Sequence, residues 1–134
     1  MSEVMVGEET YASAIFLTFS GNCKKALTFY QSCFGGKLQF DLFEQQLPGF
    51  TEMPVIRGSL VSEKLIIHAS DLVHNEGRRV GNNIALFLPC KDAEDRLALV
   101  NKLTLNRSLI DQDDLYLPLL EVIDAYEVRW MLAI

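Results

Sequence analysis

AIFLTFSGNCKKALTFYQSCFGG, residues 14–36, decides how the rest of the chain is read. It lays out a strand, a tight turn, an amphipathic helix and a glycine stop. Ile15, Leu17 and Phe19 alternate with Ala14, Phe16 and Thr18. Both sets are largely apolar, so the strand is expected to be covered on both faces. Ser20-Gly21-Asn22 breaks the strand and leaves Asn22 in the capping position of the helix. Ala26, Leu27, Tyr30 and Phe34 then fall on one helical face, with Lys24, Lys25, Thr28 and Gln31 mostly on the other. Gly35-Gly36 stops the helix, as glycine just past a C-terminus commonly does.

The layout recurs in NIALFLPCKDAEDRLALVNKLT, residues 83–104. Ile84, Leu86 and Leu88 stand where Ile15, Leu17 and Phe19 stand in the first copy. Asp92 takes the capping place, and Ala93, Leu97, Val100 and Leu103 make the apolar stripe. Three strand patterns follow each copy: 37–45, 55–61 and 64–70 after the first, 106–110, 115–123 and 127–134 after the second. A Pro-Gly loop spans 46–54, and a polar linker, 71–81, joins the halves. Two copies at so long a period indicate a duplication with pseudo-twofold packing and not a solenoid. The fold class is α+β: two βαβββ modules, 12–71 and 82–134, within a single domain spanning 1–134.

The chain has 134 residues, the size of one ordinary domain and enough for a core without disulfide or metal staples. Apolar residues make up 49% and charged residues 22%, a globular balance and not a disordered one. A net charge of −6 argues against nucleic acid and against an anionic membrane, leaving small molecules and proteins as partners. Three cysteines, an odd count without a CxxC, read as reduced thiols in a cytoplasmic protein. The opening MSEVMVGEETYAS lacks the basic and apolar regions of a secretory signal and is expected to be a loosely held tail. No apolar run reaches the length of a membrane span. GxSxG, P-loop and dinucleotide-binding phrases are missing. Cys33 and Cys90 have no histidine near them in sequence, which argues against a thiol nucleophile.

The segment FLTFSGNCKKALTFYQSCFGGKL, 16–38, resembles the PhnB-like branch of the vicinal oxygen chelate superfamily, the glyoxalase, bleomycin-resistance and dioxygenase fold. Weaker matches follow in order: GSLVSEKLIIHASD at 58–71, GNNIALFLPCKDAEDR at 81–96 and VRWML at 128–132. The resemblance implies a cupped eight-stranded mixed sheet with its helices outside, and a homodimer. It also implies metal-ligand positions, in those relatives that use a metal, at or beside Ala14, Ile66, Asn83 and Met131. None of these side chains is a strong metal donor, and Asn83 is a weak oxygen donor at best. Arg57 stands where the branch often keeps a histidine, and 118–126 is shorter than the cavity-walling segment of relatives.

His68, Asp71, His74 and Glu76 form the one cluster of potential ligands, but only His68 falls on a predicted strand. Arg57 shares a strand face with Val55 and Ser59 and suits a carboxylate or phosphate if that face lines a cavity; otherwise it is a solvated or acid-paired arginine. Arg78 and Arg79 read as surface charges that lie within reach of a cavity mouth. Phe16, Thr18, Ala85, Phe87, Arg129 and Met131 share alternation phase with Ala14 and Asn83, so they line the concavity or fill it. The opposite phase sends Trp130 under a helix. The expected ligand-binding set is Phe16, Thr18, Arg57, His68, Asn83, Phe87, Arg129 and Met131. The leading expectation is a small-molecule-binding protein with no cofactor and no metal. The alternatives are a metal-dependent lyase, isomerase or dioxygenase with an unusual ligand set, and a module serving only for interaction.

Overall fold

The computed structural model describes residues 13–42, 54–71, 78–108 and 110–134. The first half runs β1 (Ile15–Phe19), α1 (Cys23–Phe34), β2 (Lys37–Leu42), β3 (Val55–Val61) and β4 (Ile66–Asp71). The second runs β5 (Leu86–Pro89), α2 (Ala93–Leu103), a 3-10 turn at Gln112–Asp114, β6 (Leu119–Ile123) and β7 (Arg129–Ala133). The first sheet has the order β1-β4-β3-β2 and the second β5-β7-β6. In each, the first strand lies parallel to the last and the last pairs antiparallel with the strand before it. The repeat read from the sequence is therefore a repeat of topology.

Where eight strands in one cupped sheet were expected, the described residues carry seven in two sheets. The position without a strand is the second-half counterpart of β2, expected at 106–110. There Leu105 (φ 55°) and Asn106 (φ 61°) take left-handed conformations and turn the chain sharply. The amides of Leu105, Asn106 and Arg107 donate to the carbonyls of Lys102, Asn101 and Thr104, so they close turns at the helix exit instead of a ladder. Leu109 lies outside the described residues, as do 43–45 of the first expected strand and the larger part of the 46–54 loop.

Burial alternates along the strands. Ile67, Ala69, Leu60 and Gly58 face α1 and are buried. Gly58 is glycine for a packing reason: a Cβ there would lie 2.8 Å from Leu27 Cδ1 and 3.0 Å from Phe40 Cδ1. Trp130 is buried under α1, stacked against Phe34 (5.3 Å) and Tyr30 (6.1 Å), which joins the second half to the first helix. β1 is covered on the helix side only. Phe16 is 58% exposed, so the expectation of cover on both faces does not hold; its apolar outer residues face an open concavity.

Two buried carboxylates organise the chain. Asp71 Oδ1 accepts from the amides of Gly21 (2.7 Å) and Cys23 (3.0 Å), and its Oδ2 from that of Val55 (2.8 Å). Asn22 makes no side-chain cap, contrary to the expectation. Asp71 supplies the acceptor in its place, from the end of β4. Asp124 Oδ2 accepts from the Tyr30 hydroxyl (2.7 Å) and Trp130 Nε1 (2.8 Å), and its Oδ1 from the amides of Tyr126 (2.7 Å) and Val128 (3.1 Å). α2 is capped by Asp92, which accepts from the Asp95 amide, as its sequence indicates. Its buried side chains are Arg96, Val100 and Leu103, while Ala93 and Leu97 are only partly covered. Arg96, which the sequence reading did not single out, is buried because its guanidinium donates to the carbonyls of Leu132 (3.2 Å) and Leu115 (2.9 Å). Among the described residues no helix is long and apolar enough to cross a membrane.

Candidate functional site

A cavity of about 610 Å³ opens where β1, the end of the linker, the segment before β5 and the β6–β7 turn come together. That volume is within the range of small-ligand sites. Four of the residues singled out from sequence line it: Phe16, Thr18, Asn83 and Arg129. Phe16 and Thr18 reach it because they occupy the open side of β1. Asn83 and Ile84 reach it because β5 begins only at Leu86, leaving the stretch before it as an exposed wall.

The other four stand elsewhere on the open faces. His68 is beside Phe16 in the β1–β4 register and beside Ser59 in the β3–β4 register. Arg57 is exposed and lies opposite Asp41 on β2, an arrangement closer to an acid-paired surface arginine than to a cavity anchor. Phe87 lies opposite Met131, and Met131 opposite Glu121, on the second sheet.

Arg78, Arg79, Val80, Ile123 and Glu127 complete the walls. The sequence signal for the two arginines was only their place in the linker; Arg78 is held at the cavity by contact with the far half of the chain. Arg78 Nη1 donates to the Tyr126 carbonyl (2.9 Å) and lies 3.9 Å from Glu127 Oε1. The Arg78 guanidinium also sits over the Phe19 ring, 4.8 Å from its centroid. Glu127 is presented to the mouth by a left-handed backbone (φ 65°), held in the turn whose amides Asp124 receives. Arg129 Nη1 donates to Glu121 across the sheet, while its Nε is buried and has no hydrogen-bond partner among the described residues.

The thiols do not form a reactive centre. All three are free. Burial, and then the charge of Asp71, push the Cys23 thiol up to about 12, and burial also raises Cys33 and Cys90. The Tyr30 hydroxyl is driven above its ordinary range, first by burial and then by the charge of Asp124 and its hydrogen bond to it. These shifts favour the neutral, unreactive forms.

The side chains at or beside the implied metal positions are a methyl, a branched alkyl, an amide and a thioether, which do not suit a Lewis-acidic metal. Among the described residues no three His, Cys, Asp or Glu side chains gather where they could hold one. His74 and Glu76 of the ligand cluster lie outside the described residues. Of the other two, Asp71 is committed to capping α1 and holding Val55.

No protein-family model matches the chain, and no curated protein matches it significantly. Solved structures do. Protein PA1353 from Pseudomonas aeruginosa superposes with a TM-score of 0.71 at 21% identity, over 92% of this chain and 97% of its own. A PhnB protein from Bacillus cereus, provisionally described as a 3-demethylubiquinone-9 3-methyltransferase, gives 0.70 at 21% identity, over 92% of this chain and 98% of its own. A gene product from Arabidopsis thaliana gives 0.58 at 20% identity, over 94% of this chain and all (100%) of its own. The chain thus shares the fold of these structures, a PhnB protein among them, in line with the resemblance carried by residues 16–38.

Proposed function

We propose that this protein binds a small organic molecule in the cavity between its two modules, without a metal held at the positions its metal-using relatives employ. The observation that carries the reading is the lining itself. Phe16, Thr18, Asn83 and Arg129, drawn from both halves, converge with Arg78 and Arg79 on one hollow of ligand size. Apolar walls with a few polar anchors are what small-molecule recognition needs, because the walls supply the hydrophobic free energy and the anchors the orientation. The donor set argues against metal chemistry at that place.

Pairing into a homodimer is part of the proposal. Ile15, Ile66, Phe87 and Leu119 are large apolar side chains that stand exposed outside the cavity lining, and a second copy covering some of them would remove apolar surface from water. Two measurements test the reading. Elemental analysis of protein purified without added metal is expected to find substoichiometric zinc, nickel, manganese and iron; a stoichiometric metal sinks the metal-free half. A small-molecule screen by native mass spectrometry is expected to find binders that compete with one another and are lost in Ile84→Asp. Binders indifferent to that change sink the assignment of the cavity.

A further inference from the structure

We infer that the ligand is an amphipathic monoanion, a single carboxylate on an apolar body, with the carboxylate received among Arg79, Arg78 and Arg129. This rests on the small-molecule reading above and adds the chemical class. A chain of net charge −6 places three guanidinium groups around one cavity, which is an electrostatic choice against its own background. Two of the three are partly compensated: Glu121 is bonded to Arg129, and Glu127 lies beside Arg78. Among the described residues, three cations against two anions leave one net positive charge, enough for a monoanion and too little for a dianion.

Arg129 adds a directional feature. Its Nε is a buried N–H without an acceptor among the described residues, although its Nη1 is already bound to Glu121. An unpaired buried donor is costly, and a ligand oxygen would relieve that cost. The planar carboxylate also matches the guanidinium fork, accepting two parallel hydrogen bonds. The remainder of the ligand must be apolar, because the walls that face it are. Phe16, Val80, Ile84 and Ile123 are 58%, 54%, 74% and 51% exposed, so a molecule laid against them gains by burying them.

The test is isothermal titration of the full chain with three matched probes: 3-phenylpropanoate, its neutral amide, and 3-phenylpropyl phosphate. The acid is expected to bind about tenfold or more tightly than the amide, the margin of a charge-assisted bidentate contact. The phosphate is expected to bind no better than the acid. Arg79→Gln replaces an exposed residue and should fold normally; it is expected to bring the acid to the level of the amide. Equal binding of acid and amide overturns the inference and leaves the cavity reading standing. A phosphate bound tenfold more tightly than the acid overturns the monoanion assignment. An acid preference that survives Arg79→Gln overturns the placement of the carboxylate. Binding of none of the three at millimolar concentration overturns the inference and counts against the cavity reading as well.

Discussion

Replacing Asp124 by alanine tests whether one buried carboxylate holds the two halves together. Its Oδ2 receives Tyr30 from the first helix and Trp130 from the last strand, and its Oδ1 receives two amides of the β6–β7 turn. The loss is worked from the two buried side-chain donors alone, leaving the turn amides out of the sum. A hydrogen bond to a charged group contributes ~1.5–3 kcal/mol, so Asp124→Ala should cost ~3–6 kcal/mol. That is a large share of the ~5–15 kcal/mol by which a domain is stable. Urea unfolding can be followed through Trp130, the single tryptophan, which stacks on α1 and bonds to Asp124. With a slope of ~2 kcal/mol per molar, the midpoint should fall by ~1.5–3 M. Tyr30→Phe should cost ~1.5–3 kcal/mol on its own but far less in the Asp124→Ala background, because the acceptor is already gone. A loss below ~1 kcal/mol for Asp124→Ala, or strict additivity of the two changes, would refute the claim that this carboxylate clamps the modules.

Other predictions follow from single positions. Gly36 has φ +106°, and a Cβ there would lie 2.4 Å from the Val61 carbonyl oxygen, whereas Gly35 (φ +73°) has nothing within 4 Å of a Cβ. Gly35→Ala should therefore cost only the ~1–3 kcal/mol of backbone strain, and Gly36→Ala clearly more; equal thermal shifts for the two would contradict this. Alkaline pH should destabilise the fold. The folded Cys23 thiol keeps its proton up to about 12, while the unfolded one loses it near its ordinary value of 9.0. The contribution is whole below that value and declines as pH rises through the window, by at most ~1.4 kcal/mol per pH unit. Tyr30 is shifted in the same direction and adds to the decline above its own ordinary value of 10.0. A urea midpoint unchanged between neutral pH and pH ~11 would show that neither group is held in its neutral form.

Much of the architecture was legible because it rests on local pattern. The α1 stripe of Ala26, Leu27 and Tyr30 is buried as its spacing requires, β3 runs over the residues its alternation marks, and Trp130 lies under a helix. The misreadings all depend on partners distant in sequence or on a turn that precedes the pattern. Asn22 has the right chemistry for a cap, but Asp71 arrives at the same amides from β4 and displaces it. The stripe read for α2 left out Arg96, which is buried because two carbonyls from later segments receive its guanidinium. The expected strand at 106–110 has suitable residues, yet Leu105 and Asn106 turn the chain first. On β1, alternation with both phases apolar does not distinguish cover by protein from an open cavity wall. The cavity lining was half legible for the same reason: strand phase picked out Phe16, Thr18 and Arg129 and the motif match Asn83, whereas Arg78 joins them through the Tyr126 carbonyl, Glu127 and the Phe19 ring.

A ligand held in the inter-module cavity leaves a mark on the residues that line it. Titrating the ¹⁵N-labelled chain with 3-phenylpropanoate and following backbone amide shifts tests it most directly. Saturable shifts are expected, concentrated at Phe16 and Thr18, residues 78–84, and Ile123 to Arg129. Shifts centred instead on His68, Ser59 and Arg57, or no saturable shifts at all, would contradict it.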